Sequence, residues 1–207
     1  MNLNKFTKED LLPLMCAAAA LRKENHLRAF IEKAKEIDLK ENVLYESLLQ
    51  NYLFTGYPSA LISLKILREY FPEKEGPKNE SWDLNKFLER GTKNCKRIYG
   101  RKYYKLISSV KTFSPELSEW LLIEGYGKVL GRQGLSLTKR ELNIIAVLVV
   151  LRFEDQLYSH INGAIRINAS IDQVKRVIKN LKIFNDDELV SFGMKVLQKY
   201  GRNKGIG

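Results

Sequence analysis

Few side chains in this sequence of 207 residues could hold a metal or do thiol chemistry. The two cysteines are Cys16 and Cys95, and the two histidines are His26 and His160. Two cysteines cannot build a disulfide framework, and a zinc site would need them together with two scattered histidines. We therefore expect an intracellular, cytoplasmic protein with no metal and no cofactor.

The composition is that of a globular chain without a targeting segment. Hydrophobic residues make up 44% of the sequence, which excludes wholesale disorder. The first residues, MNLNKFTKEDLL, carry charges where a signal peptide needs an apolar run. The longest apolar stretch, 144–151, is too short to cross a bilayer. No membrane partner is expected.

The net charge of +11 raises the question of nucleic-acid binding. The densest basic patch, residues 93–111, interleaves Tyr99, Tyr103 and Tyr104 with lysines and arginines, as in proteins that bind single strands. The patch lacks helix-turn-helix spacing, zinc-finger ligands and an RNP-like strand, and lysine-rich solvated surfaces are common. Nucleic acid is therefore the weakest functional alternative, and the charge is left without an assigned role.

Helical periodicity runs through nearly the whole chain. Apolar residues recur at spacings of three and four, and Thr7 precedes acidic residues typical of a first helical turn. The stretch 144–150 is rich in β-branched residues and could be a buried strand, but no partner strand is evident, so we predict a buried helix. Trp82 and Trp120 are expected to pack between helices. In the second part of the chain, helices are predicted over 84–98, 102–110, 115–130, 138–151, 154–167, 171–181 and 186–200.

An internal repeat is indicated at an offset of 130 residues. Seven residues between 21 and 37 match seven between 151 and 167, including the string Leu-Arg-x-Glu-x-x-Leu, and Phe54 matches Phe184. The strings TKEDL at residue 7 and TKREL at residue 138 align if one residue slips. We favour duplication of one helical unit, which predicts an all-α fold.

The second unit carries a family resemblance. Residues 132–178, RQGLSLTKRELNIIAVLVVLRFEDQLYSHINGAIRINASIDQVKRVI, resemble the carboxymuconolactone decarboxylase family, also called AhpD-like. The family pattern is Arg-x-Gly-Leu, Arg-Glu-Leu, an alanine- and leucine-rich helix, and His-x-x-x-Ala before a third helix. The segment EGYGKVL at 124–130 fits the Tyr-Gly segment that introduces the motif, and residues 7–71 resemble a degenerate copy with Gly-Tyr-Pro at 56–58. The resemblance implies an AhpD-like helical bundle of two related repeats.

The resemblance divides the possible chemistry into two branches. The thiol branch has a Glu upstream of Cys-x-x-Cys-x-x-x-His, and Glu141 and His160 stand at the matching places. The two cysteine positions are Phe153 and Gln156, which cannot form a thiolate. A peroxidase reaction of that type is therefore not expected.

The decarboxylase branch implies a histidine-centred acid–base site for a small carboxylated lactone. His160 would protonate the carbon or enolate formed when carbon dioxide leaves, and Glu141 would orient His160. Arg132 would bind the substrate carboxylate through its fork of donors. Phe153 and Gln156, at i and i+3 before His160 at i+7, share its helix face and are predicted to line the pocket.

Each of these residues has a purely structural alternative. His160 could be a satisfied, partly buried histidine, and Glu141 could interact with a helix dipole. Arg132 could form a surface or inter-subunit ion pair. In the first unit, His26 stands where Gln156 does and Phe30 replaces the motif histidine, so that unit is expected to act as a scaffold.

These observations lead to a division of the chain and to three functional hypotheses. We predict a degenerate repeat over 1–72, a linker over 73–83, a second repeat over 84–200 and a flexible tail over 201–207. The first hypothesis is a cofactor-free decarboxylase or lyase using His160. The second is a non-catalytic small-molecule-binding or scaffold protein, since fold does not fix function. The third is nucleic-acid binding, and the family resemblance further implies a homo-oligomer, with a trimer favoured.

Overall fold

A computed structural model describes residues 2–72 and 80–205 of the chain. Those residues form α-helices and no β-strand, which confirms the predicted all-α class. A π-helix, Leu121–Val129, directly continues the seventh helix, and short 3-10 helices occupy Gly100–Lys102 and Leu181–Phe184. The α-helices are α1 Lys8–Ala20, α2 Glu24–Glu36, α3 Glu41–Leu49, α4 Tyr52–Tyr70, α5 Leu84–Tyr99, α6 Tyr103–Phe113, α7 Pro115–Trp120, α8 Leu137–Val150, α9 Glu154–Arg166, α10 Ile171–Asn180 and α11 Asp187–Lys204.

Helices α1 and α8 form the centre of the core and pack against each other. Residues 144–150 lie within α8 and are buried, as predicted for a buried helix rather than a strand. The hydroxyl of Ser136 accepts a hydrogen bond from the Lys139 N–H at the start of α8, and the Asp10 carboxylate accepts one from the Thr7 N–H at the start of α1. Both central helices thus begin at satisfied caps and are buried along most of their length.

Turn geometry recurs 130 residues apart. Helices α2 and α9 have bounds that differ by 130 residues, and a left-handed residue precedes each of them, Arg22 with φ of 55° and Arg152 with φ of 59°. The turns that follow contain Asp38 and Asn168, with φ of 55° and 75°. We refer to residues 7–71 as the first half and to residues 138–200 as the second half.

Polar contacts between the halves recur at the same offset, with exchanged partners. Asp10 of the first half accepts hydrogen bonds from Arg176 and Asn180 of the second, at 2.5 and 2.8 Å. The residues 130 positions away repeat this arrangement: Arg140 donates to Glu46 at 2.8 Å and to Gln50 at 3.4 Å. These contacts continue the offset of 130 back to residue 10, without the one-residue slip by which the TKEDL and TKREL strings align.

The segment 84–129 has no counterpart in the first half. Helix α5 packs along the π-helix, where Gly91 and Gly127 allow close backbone approach: a Cβ on Gly91 would lie 1.9 Å from the Leu122 carbonyl oxygen. Trp82 and Trp120 are 69% and 56% exposed, so the expectation that they pack between helices is wrong. The surfaces beside them, Phe87 and the α7 segment, are themselves close to solvent.

The predicted linker and tail are only partly within the described residues. Positions 73–79 and 206–207 lie outside them, while Glu80 accepts two hydrogen bonds from Arg90 and Asp83 caps α5. Helix α11 continues to Lys204, into the segment for which a flexible tail was predicted.

Candidate functional site

Glu141 and His160 meet in the core of the second half. The His160 Nδ1 lies 2.8 Å from the Glu141 Oε2, with both residues buried. Glu141 belongs to the first turns of α8 and His160 to α9, and the tight turn at Arg152 folds one helix back on the other. The geometry brings together the two residues that the motif singled out.

Small residues and a polar partner orient this pair. A Cβ on Gly163 would lie 2.6 Å from Ile98 Cγ2 and 3.3 Å from Glu141 Oε2, so glycine lets α9 approach α5 and α8 closely. A carboxylate on Nδ1 favours the tautomer with a proton on that nitrogen, which makes Nε2 the basic atom. Among the described residues Nε2 has no hydrogen-bond partner, and Glu141 Oε1 is buried without one.

His160 lines a cavity of about 400 Å³. Its apolar wall includes Leu53, Phe54, Phe113, Leu117, Trp120 and Leu130. The Phe54 ring meets the His160 ring edge to face, with centroids 6.0 Å apart. The size and the mostly apolar wall are those of a small-molecule site with few polar groups.

The π-helix supplies the polar part of the cavity wall. Glu124, Gly125 and Tyr126 line the cavity from Leu121–Val129, where the Leu130 N–H donates to the Gly125 carbonyl. π-Helical turns are uncommon and occur often at functional sites. Here the turn places Glu124 and Tyr126 on the same cavity as His160.

Two hydrogen-bonded pairs surround these groups. The Tyr52 hydroxyl donates to Glu124 Oε1 at 2.5 Å, and the Tyr99 and Tyr126 hydroxyls lie 2.7 Å apart. Burial and then the Glu124 hydrogen bond raise the pKa of Tyr52. Burial, with the Glu141 charge contributing, also raises the pKa of both Tyr99 and Tyr126. These phenols therefore stay protonated at neutral pH and act as hydrogen-bond donors.

The other predicted site residues lie away from the His160 cavity. Arg132 donates to Glu46 at 2.9 Å and lines a separate polar cavity of about 440 Å³. Phe153 is 50% exposed at the N-cap of α9, and Gln156 is exposed in the first turn. The helix face that they share with His160 is real, but its first turn projects beyond the neighbouring helices into solvent.

Arg132 belongs to a charged cluster rather than to a free anion site. Glu46 accepts hydrogen bonds from both Arg132 and Arg140, and Arg90 pairs with Glu80 at 2.8 Å across the polar cavity. These guanidinium groups are therefore already matched with carboxylates.

Both thiols are buried and free. Burial, with the Glu141 charge adding to it, raises the pKa of the Cys95 thiol to about 12. Burial raises the pKa of Cys16 too, although the Arg140 charge opposes the shift. Neither environment favours a reactive thiolate.

The basic patch 93–111 presents little aromatic surface. Tyr104 is 67% exposed, whereas Tyr103 is buried and the Tyr99 hydroxyl is paired with Tyr126. Lys96 lies over the rings of Tyr103 and Tyr104. The alternation of basic and aromatic residues in this patch thus serves local packing between α5 and α6.

Sequence reasoning missed the opposite wall of the cavity. The Glu-Gly-Tyr-Gly string at 124–127 was part of the family motif, but neither Glu124 nor Tyr126 was assigned a role. Tyr52 and Phe54 come from the first half, and nothing in their local sequence indicates that they reach the second. A π-helix also has no readable periodic signal in a single sequence.

The fold and the site define an all-α protein with a buried histidine–glutamate pair on an apolar cavity. Among the described residues, no cluster of three or more His, Cys, Asp or Glu side chains could hold a metal. No helix in the same ranges is both long and apolar enough to span a membrane.

Comparison with known proteins gives one distant relative. No family model matches the chain. Peroxisomal protein 2 of Schizosaccharomyces pombe is 28% identical over 135 residues, which cover 63% of this chain and 63% of that protein. The chain thus aligns with less than two thirds of the relative's length.

Proposed function

We propose that this protein is a cofactor-free small-molecule enzyme in which His160 transfers protons. The observation that carries the proposal is the 2.8 Å contact between His160 Nδ1 and Glu141 Oε2 beside a cavity of about 400 Å³. Nε2 is the ring nitrogen left to act on a molecule in that cavity. The resemblance to the carboxymuconolactone decarboxylase family supports the same assignment.

The reaction type that fits this site is a lyase reaction. Nε2 removes a proton from a carbon of the substrate, and the electron pair of the broken C–H bond expels a leaving group. The Glu141 carboxylate stabilises the imidazolium that forms, which then returns the proton to the leaving group. In this scheme His160 is the catalytic residue and Glu141 is a positioning residue.

Deuterium exchange tests the proposal before a substrate is known. Lactones, ketones and esters are incubated with the protein in D2O, and exchange of acidic C–H groups is followed by NMR. We expect His160→Gln to lower the exchange rate about 10²- to 10⁴-fold. Glu141→Gln should lower it less, and His26→Gln, in the half-buried histidine packed on Phe184, should leave it unchanged.

The second candidate function is non-catalytic binding on the same fold. The mostly apolar cavity favours it, because such a cavity can hold a ligand without any chemistry. Ligand binding by the native protein with no exchange in any compound class would support this candidate. Exchange that is equal in the native protein and in His160→Gln would refute the assignment of His160.

Family, repeats, assembly and compartment complete the proposal. The exchanged contacts of Asp10 and Arg140 support a duplicated, AhpD-like unit. A homo-oligomer, with a trimer favoured, would bury exposed side chains such as Leu61 and Phe113. Light scattering tests this assembly. The relative's name associates that protein with peroxisomes, so imaging of the tagged chain tests the predicted cytoplasmic location.

A further inference from the structure

The charge distribution of the His160 cavity restricts what it can bind. Among its described lining residues there is no lysine or arginine, and Glu124 contributes a carboxylate. Glu141 places a second carboxylate behind His160. A ligand carboxylate would therefore lose its water of hydration without gaining a cationic partner, and it would face two like charges.

The cations nearest to the site are committed elsewhere. Arg132, predicted to bind a substrate carboxylate, pairs with Glu46 in the separate polar cavity. Lys128 Nζ lies 3.6 Å from Glu124 Oε1 and 4.6 Å from the Trp82 ring centroid, outside the described lining. It balances part of the Glu124 charge but does not offer a site for an anion within the cavity.

Glu124 is arranged to accept a hydrogen bond from a ligand. Its Oε1 is occupied by the Tyr52 hydroxyl at 2.5 Å, which fixes the side chain. Its Oε2 has no hydrogen-bond partner among the described residues, and half-exposed Glu124 lines the cavity. A neutral hydroxyl group is the donor that such a carboxylate accepts most readily without adding charge.

We propose that the cavity binds a small, uncharged, largely apolar molecule that carries a hydroxyl group, with Glu124 as the acceptor of that hydroxyl. This inference rests on the proposed function of the same site and narrows its substrate class. It departs from the carboxylated lactone that the family resemblance implies, because the carboxylate has no counter-ion here. The apolar body of the molecule packs against Phe54, Leu117 and Trp120.

Matched naphthalene derivatives test this ligand class by calorimetry at neutral pH. 2-Naphthol is neutral and carries a hydroxyl, while 2-naphthoate has the same rings and a carboxylate. We expect 2-naphthol to bind at least about tenfold more tightly than 2-naphthoate. Glu124→Gln should weaken 2-naphthol and strengthen 2-naphthoate, lowering that ratio about tenfold.

The control and the contrary outcomes are defined by the same experiment. Glu119→Gln removes one carboxylate from the exposed part of α7 and should leave the ratio unchanged. Equal or tighter binding of 2-naphthoate, or no binding of 2-naphthol, would overturn the ligand class. Because binding is measured without turnover, loss of deuterium exchange with intact selectivity would reject the proposed catalysis and leave the ligand class standing.

Discussion

The two halves place different chemistry at corresponding positions of the scaffold. In the first half, Leu11 and Phe30 are both fully buried in the hydrophobic core. The residues 130 positions later are Glu141 and His160, which form the buried polar pair. Phe30 meets Phe184 edge to face at 6.2 Å, as His160 meets Phe54 at 6.0 Å. The same helix crossing thus supports either apolar packing or a polar pair.

The difference follows from what surrounds each crossing. Helix α5 and the π-helix cover the second half and supply Tyr126, Glu124 and the apolar cavity wall. The first half has no counterpart of these elements, and Phe30 is closed in by packing. A polar pair is useful only where a cavity gives a ligand access to it, which explains its restriction to one half.

Charge also separates the halves. The first half contributes the carboxylates of Asp10 and Glu46, and the second contributes the guanidinium groups of Arg140 and Arg176. Each contact joins opposite charges because the halves differ. Two copies of one half in the same arrangement would bring together two carboxylates or two arginines, which is strongly unfavourable when buried. The charges therefore specify pairing between unlike halves.

The largest difference between the two contacts is expected from removal of their arginines. Arg140 and Glu46 are each 1% exposed, whereas Arg176 is 54% exposed. Arg140→Met should lower the free energy of unfolding by about 3–5 kcal/mol, because Glu46 loses a buried partner. Arg176→Met should lower it by about 1–2 kcal/mol, since Asn180 still donates to Asp10. Urea titration measures both, and equal losses would contradict the contrast.

A smaller effect is expected at Gly163, where the first half has Lys33 at the corresponding position. Gly163→Ala would place a Cβ 2.6 Å from Ile98 Cγ2, so α9 must shift away from α5. We expect the free energy of unfolding to fall by about 1–3 kcal/mol. Gly125→Ala, with nothing within 4 Å of the new Cβ, serves as the control in the same titration. Equal effects of the two substitutions would show that the close approach is not constrained.

Much of this comparison could be predicted from the sequence, and the cavity could not. Helical periodicity predicted the all-α class and the positions of α8 and α9, and the motif singled out Glu141 and His160. The opposite wall combines Phe54 of the first half with Glu124 of the π-helix, and such long-range contacts leave no local signal. Arg132 matched a motif position, but its role depends on Glu46, a residue distant in the sequence.

The Asp10 contact predicts a pH dependence. Burial alone would raise the pKa of Asp10, but hydrogen bonds from Arg176 and Thr7 more than offset it and hold that pKa below its usual value. A lowered native pKa adds stability that is fully present above the unfolded-state pKa of about 3.9. That stability is lost as the pH falls through the native pKa.

The variant Asp10→Asn lacks this contribution. Its deficit in unfolding free energy relative to the native protein should be constant above about pH 5 and shrink below about pH 4. Urea titrations from pH 7 to pH 3 follow the difference. A deficit that does not change over this range would show that the Asp10 charge does not stabilise the contact.

The smallest net effect is expected when the polar pair is replaced by the residues of the first half. His160→Phe alone leaves Glu141 buried without its partner and should lower stability by about 3 kcal/mol or more. Adding Glu141→Leu recreates the Leu11 and Phe30 combination and should restore stability to within about 1 kcal/mol of the native protein. If the double variant is as unstable as His160→Phe, the two crossings are not equivalent. If it is restored, the pair is dispensable for folding, and its presence beside the cavity must be explained by what it does to a ligand.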